Sequence, residues 1–256
     1  MANVIAVVNM KGGVGKSTVT NNLSHTLVQR GKRVLAVDMD PQATLTFLFG
    51  QDERLLQESK KTLYFSLVRN KPLSAIIVHG TPALIPSSII LSKAERDLMS
   101  NMRYSSTMLR DRLREIQDEF DFIIVDCPPS LNILTSNALA AAHFVLVPVK
   151  TDILSILGIP ILLDDIENIR ARDNEELRVW GVLPTIYNKN LNNDKEALQS
   201  LQAILEEKQI PLLDPIPRST LYDRAAALGT PIVLQEDAPG VNVFYKLADQ
   251  IINHGA

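Results

Sequence analysis

One cysteine, Cys127, is all this chain has. That excludes a disulfide framework, and a lone thiol cannot supply the ligands of an iron–sulfur or zinc site within one chain. No apolar stretch approaches the roughly 20 residues a membrane-spanning helix needs. From Met1 the chain enters an apolar strand pattern without the charged and apolar regions of a secretion signal, so a cytoplasmic protein is expected. No strong charge excess exists either: the formal net charge is −3, which argues against a surface wholly given to nucleic acid but leaves room for a local basic patch. Repeats, low-complexity tracts and Pro/Gly/Ser linkers are also missing. With 256 residues, enough to bury one large core, the economical expectation is a single domain over 1–256.

What is present alternates. Residues 3–9 are a short, nearly continuous apolar run, the pattern of a parallel strand buried on both faces. A glycine-rich turn follows, then a helical stretch over 16–29 with Gly31 placed to stop it. Further strand patterns occupy 33–38, 122–126, 144–149 and 179–183, with helix-length segments between them. This spacing predicts βαβ units and a doubly wound, mostly parallel sheet flanked by helices. Between residues 38 and 122 the reading is less regular: short helical pieces at 43–49 and 62–68, apolar runs at 75–78 and 83–86, and an amphipathic stretch over 105–119 whose mixed charges read as a solvated face.

Met10-Lys11-Gly12-Gly13-Val14-Gly15-Lys16-Ser17-Thr18 lies between a strand and a helix, the context in which a P-loop works. Gly12, Gly13 and Gly15 allow backbone conformations closed to other residues and a close approach to phosphate. Loop N–H groups and the dipole of the following helix attract the anion. Lys16 is placed to reach the β- and γ-phosphates, and the Ser17 hydroxyl to ligate magnesium, so ATP with Mg2+ is the expected cofactor pair. The loop departs from the usual pattern at its start, where Met10 replaces a glycine and a second lysine, Lys11, stands beside it. Lys11 is either a solvated loop lysine or a charge that reaches phosphates on a facing subunit.

Two aspartates close strand patterns. Asp38 opens Asp38-Met39-Asp40-Pro41-Gln42 at the end of the second strand, and Asp126 ends Phe122-Ile123-Ile124-Val125 ahead of Cys127-Pro128-Pro129. An apolar strand ending in aspartate beside a phosphate loop suits a magnesium shell. Cys127 reads as small-residue packing, since no base accompanies it.

Taken in order, residues 11–18, 37–42 and 124–129 resemble the deviant Walker motifs of the ParA/MinD ATPases. The resemblance extends to Leu84-Ile85-Pro86-Ser87, Pro148-Val149, Ile216-Pro217-Arg218 and Gly229-Thr230-Pro231, nearly the whole chain. It implies an ATPase that forms an ATP-sandwich homodimer in which each Lys11 reaches across. It also implies that Asp40 positions or activates the attacking water, with Asp38 supporting the magnesium shell and Asp126 in the Walker-B place. Asn188, Pro217 and Arg218 fall where the family contacts adenine.

Within the family, the small ParA branch fits. No DNA-reading extension precedes Asn3, and the iron-protein relatives need cysteines this chain lacks. A MinD-like membrane-surface ATPase is the alternative. Its membrane-targeting helix has no obvious counterpart in 241–252, where the apolar spacing suits a core-facing helix. The ParA resemblance implies non-specific DNA binding by the ATP-bound dimer and release by a cargo adaptor that stimulates hydrolysis. The cargo would be a plasmid, a chromosome region or a protein assembly such as a carboxysome. Candidate DNA contacts are Lys189, Lys195, Arg218, Arg224 and Lys246. Lys150, where many relatives carry glutamine, either faces the nucleotide or partner subunit or pairs with nearby Asp152.

Overall fold

The computed structural model describes residues 1–99, 106–235 and 238–254. Six strands of the described residues make one sheet: β1 Asn3–Val7, β2 Val34–Asp38, β3 Ala83–Ile85, β4 Phe122–Asp126, β5 Phe144–Lys150 and β6 Arg178–Thr185. They lie in the order β3-β2-β4-β1-β5-β6, and every pairing is parallel. β2 and β4 are buried at every residue, because helices cover both faces and leave neither to water. Alternate residues serve opposite layers. Ile5, Val7 and Ile124 face one core, while Val4, Ala6, Ile123 and Val125 face the other.

The first layer is built by α1 (Lys16–Gln29), which packs Val19, Leu23 and Leu27 against the same core as Phe244, Leu247 and Ile251 of the last helix, Val241–His254. That last helix meets the expectation of a core-facing spacing. α1 has the expected bounds, and Gly31, at φ 76, donates its N–H to the Val28 carbonyl at 2.8 Å to close it.

Residues 43–68 fold into three short helices: α2 (Thr44–Leu48), α3 (Glu53–Glu58) and α4 (Leu63–Leu67). The chain breaks between α2 and α3 at Gly50, in left-handed conformation, and Asp52 caps α3 by accepting from the Arg54 and Leu55 N–H groups. The stretch expected over 105–119 is not one helix. Residue 105 lies outside the described residues, a short helix spans Met108–Leu113, and a 3-10 turn follows at Gln117–Glu119. Leu109 and Leu113 of that helix are buried and Asp111 is exposed, but Arg110 turns inward to donate to the Asp173 carbonyl, so the face is not wholly solvated.

Because all strands run the same way, their C-terminal ends share one rim. Asp38, Asp126 and Val7 stand side by side in register across β2, β4 and β1, and Lys150 pairs with Thr185 across β5 and β6. In an open parallel sheet this is the rim where ligands bind.

Candidate active site

The loop leaving β1 is fixed to the sheet from both sides. Asn9 donates through Nδ2 to the Pro148 carbonyl at 2.7 Å, and its Oδ1 accepts from the Lys11 N–H at 2.9 Å. Thr185 donates its hydroxyl to the Val14 carbonyl at 2.9 Å. Met10, where a glycine is usual, packs partly buried against the core. Gly13 and Gly15 sit at φ 72 and 88, where a Cβ would be strained. Gly15 caps α1 with no side chain in the way, so the first N–H groups of that helix remain available to an anion. Lys16 is 7% exposed and spans the loop, its Nζ donating to the Lys11 carbonyl at 2.9 Å. Burial holds its pKa below the ordinary lysine value, against the pull of Asp126.

Behind the loop two carboxyls are wholly buried. Asp38 accepts through Oδ2 from both the N–H and the hydroxyl of Thr46, at 2.8 and 2.7 Å, and through Oδ1 from the Asp40 N–H at 3.1 Å. Burial pushes its pKa up to about 7, though the Thr46 hydrogen bonds work in the other direction. Asp126 is raised too, by burial and by the neighbouring Asp38, with the Ser17 hydroxyl opposing. Thr20 reaches Asp126 Oδ1 at 3.5 Å, whereas Oδ2 is buried with no hydrogen-bond partner. A buried carboxylate oxygen left without a donor is unfavourable unless something else satisfies it. With the Ser17 hydroxyl beside it, the donor set is all oxygen, as magnesium requires.

Both carboxyls bind protons more tightly folded than unfolded. Their contribution to the stability of metal-free protein is therefore full below the ordinary carboxylate range, and that of Asp38 is lost as pH rises through about 7. In EDTA, the Tm is expected to fall between pH 5 and pH 8, and Asp126→Asn is expected to flatten the fall. A Tm that rises over this range equally in both proteins would contradict it.

Asp40 stands at the rim, its N–H held by Asp38 and its Oδ1 accepting from the Gln42 N–H at 2.9 Å. Lys11 turns sideways, not into its own loop. Its Nζ lies 3.4 Å from Ser155 Oγ and 3.9 Å from Asp152 Oδ1, and its side chain is 42% exposed. Lys150 approaches the other oxygen of Asp152 at 3.5 Å, the pairing its place in the sequence allowed. Burial alone would raise the Asp152 pKa, but hydrogen bonds from Ser155 and the two lysines together bring it below the usual value.

A cavity of about 390 Å³ opens beside Gly13, Gly15 and Thr18, walled by Pro217, Arg218 and Tyr222. Asn188 does not line it. That residue sits in its own turn, its N–H donating to Asp194 Oδ2 and its Oδ1 accepting from the Asn190 N–H. The candidate DNA contacts are all exposed, but each stands on a separate segment, and Lys246 is held by Asp214 at 2.7 Å. Sequence reasoning missed Thr46, Asn9 and Gly240. Gly240, at φ 84, leaves room for Pro217 and Tyr222, where an added Cβ would meet atoms at 2.7 and 2.8 Å. The Ala-Pro-Gly run is the one signal the sequence offered for it.

With this geometry in hand, comparison with known proteins is direct. A family model described as an AAA domain matches residues 2–179. The sporulation initiation inhibitor protein Soj of Bacillus subtilis is 32% identical over 259 residues, the full length of both chains. The chromosome partitioning protein ParA of Caulobacter vibrioides is 33% identical over 98% of this chain and 94% of its own. A solved structure of cobyrinic acid a,c-diamide synthase from Mycobacterium smegmatis, with bound ATP analogue and magnesium, is 31% identical. It covers 100% of this chain and 96% of its own, with a TM-score of 0.85. The chain belongs to the ParA/MinD family of P-loop ATPases, on its Soj-like branch, and is an ATPase.

Proposed function

We propose that residues 1–256 form one ATPase domain that holds ATP and magnesium at the sheet rim, dimerises around the nucleotides, and in that state binds DNA without sequence preference. A cargo adaptor then stimulates hydrolysis and releases it. The cycle segregates or positions a plasmid, a chromosome region or a protein assembly such as a carboxysome. In this reading residues 12–18 cradle the phosphates, Ser17 and Asp126 hold magnesium with Asp38 supporting, and Asp40 orients the attacking water. Pro217 and Arg218 meet the adenine, with Asn188 outside that contact. Bound magnesium would draw charge from the phosphates.

The observation that carries the dimer is Lys11. Lys16 already spans its own loop, so the second lysine, half-exposed and turned outward onto Asp152 and Ser155, is placed to serve another chain's phosphates when it leaves them. Full-length similarity to Soj and ParA supports the partitioning cycle and a place on the nucleoid within the cytoplasm. The membrane-surface alternative gains nothing from the last helix, whose apolar face is occupied by α1, and no helix of the described residues is long and apolar enough to cross a membrane.

Filter binding to a random-sequence duplex tests it. Binding should require ATP, and even about two phosphate contacts per dimer would weaken it roughly tenfold between about 50 and 200 mM salt. Absence of binding by a protein that demonstrably dimerises would sink the DNA reading.

A further inference from the structure

A threonine inside a helix usually turns its hydroxyl back onto the carbonyl three or four residues earlier. Thr26 of α1 does so, onto the Asn22 carbonyl at 2.8 Å. Thr46 of α2 does not. It is fully buried, and its hydroxyl donates to Asp38 Oδ2 at 2.7 Å, eight residues back on another element. A hydroxyl has one proton and two lone pairs, so that proton is committed to the carboxylate. One lone pair is committed as well, because the Ser87 N–H donates to Thr46 Oγ1 at 2.9 Å. Ser87 lies just past β3, the edge strand paired to β2, and the Leu63 N–H ties that loop down through the Pro86 carbonyl at 2.8 Å.

Capping of α2 does not require this arrangement. Ala43 gives the helix no side-chain cap, and the Thr46 N–H, one of the donors a first turn leaves unpaired, goes to Asp38 Oδ2 at 2.8 Å. That bond caps the helix by itself. The hydroxyl adds a second hold on the same oxygen, so rotation of the carboxylate about Cβ–Cγ breaks two bonds instead of one. The other oxygen is thereby aimed, and Asp38 Oδ1 accepts the Asp40 N–H at 3.1 Å. A continuous line of hydrogen bonds thus runs from Ser87 through Thr46 and Asp38 to Asp40, from the edge of the sheet to the rim.

We propose that Thr46 is a positioning residue for ATP hydrolysis: oriented by the Ser87 N–H, its hydroxyl locks the Asp38 carboxylate and so fixes the backbone from which Asp40 reaches the attacking water. The inference rests on the role given to Asp40 above. Small misplacements of a reacting group cost up to about a hundredfold in rate, which sets the size of the effect.

The test replaces Thr46 in the full chain with valine, which keeps the shape and the backbone N–H, and with serine, which keeps the hydroxyl. Turnover of ATP with magnesium should fall about ten- to a hundredfold in Thr46→Val with KM within about twofold, and Thr46→Ser should recover most of it. Added to Asp40→Ala, Thr46→Val should cost less than about twofold more, because the group it positions is gone. Amide exchange followed by NMR reads the hold without catalysis. The Asp40 N–H should be protected in the wild type and in Thr46→Ser, and should exchange at least about tenfold faster in Thr46→Val.

Wild-type turnover by Thr46→Val, a serine variant as slow as the valine one, or full multiplication of the Thr46 and Asp40 losses would each overturn the proposal. So would a wild-type Asp40 amide that exchanges as fast as in a free peptide, a result that stands even where the valine variant does not fold. Undiminished turnover by Asp40→Ala instead strikes the role of Asp40 itself.

Discussion

Replacing Asp40 with alanine is expected to lower ATP turnover by about a hundredfold or more while leaving ATP binding intact. A positioned carboxylate that orients water contributes on that scale. The backbone explains why no neighbour substitutes: Asp40 is set at the rim by the Asp38 carboxylate on its N–H, and Asp38 itself is buried and committed to Thr46. Lys16 and the loop glycines, which hold the phosphates in the proposed cycle, are untouched by the change. The variant should therefore accumulate as an ATP-bound dimer, visible as an earlier-eluting peak in gel filtration with ATP. Rapid turnover by Asp40→Ala would remove it from the catalytic role.

Lys11→Ala is expected to have an effect at least as large, but only where two chains meet. A charge supplied in trans to a transferring phosphoryl group is worth about 10³-fold or more. Wild-type turnover per chain should climb with protein concentration, while the variant stays flat. ATP binding by the monomer, measured by fluorescent analogue titration, should be unchanged, since Lys16 alone spans the loop. A variant that keeps the wild-type concentration dependence would show Lys11 to be an ordinary loop lysine.

Local sequence carried much of this structure. The 16–29 helix and its glycine stop were legible because strand, loop and helix follow one another without interruption, so each signal falls on its own residue. The sheet's parallel character was legible from unbroken apolar runs. Its order was not. Asp38 and Asp126 are neighbours only because β4 returns to lie between β2 and β1, a placement decided by packing over a long separation in sequence. The hold of Thr46 on Asp38 is of the same kind, since nothing in Thr44-Leu45-Thr46-Phe47 announces a carboxylate partner. The 105–119 stretch misled because amphipathic spacing continues through a segment that the structure divides into a short helix and a 3-10 turn. The grouping of Asn188 with Pro217 and Arg218 followed the family order, whereas the turn around Asn188 is set by the bond its N–H donates to Asp194.

Asp152 shares its two oxygens between Lys11 and Lys150, and this bears on how readily two copies come together. An arm tied to a sole counter-ion would leave a bare carboxylate behind on departure, and that loss would be subtracted from every dimer formed. Here Lys150 stays in place when Lys11 swings away, so each arm gives up one half-exposed ion pair, about 0–1 kcal/mol, and its long contact to Ser155. Two such pairs are broken per dimer, together about thirtyfold at most in the protein concentration at which pairing begins. In the proposed cycle, release of the arms is thus a modest opposing term that the nucleotide contacts must exceed.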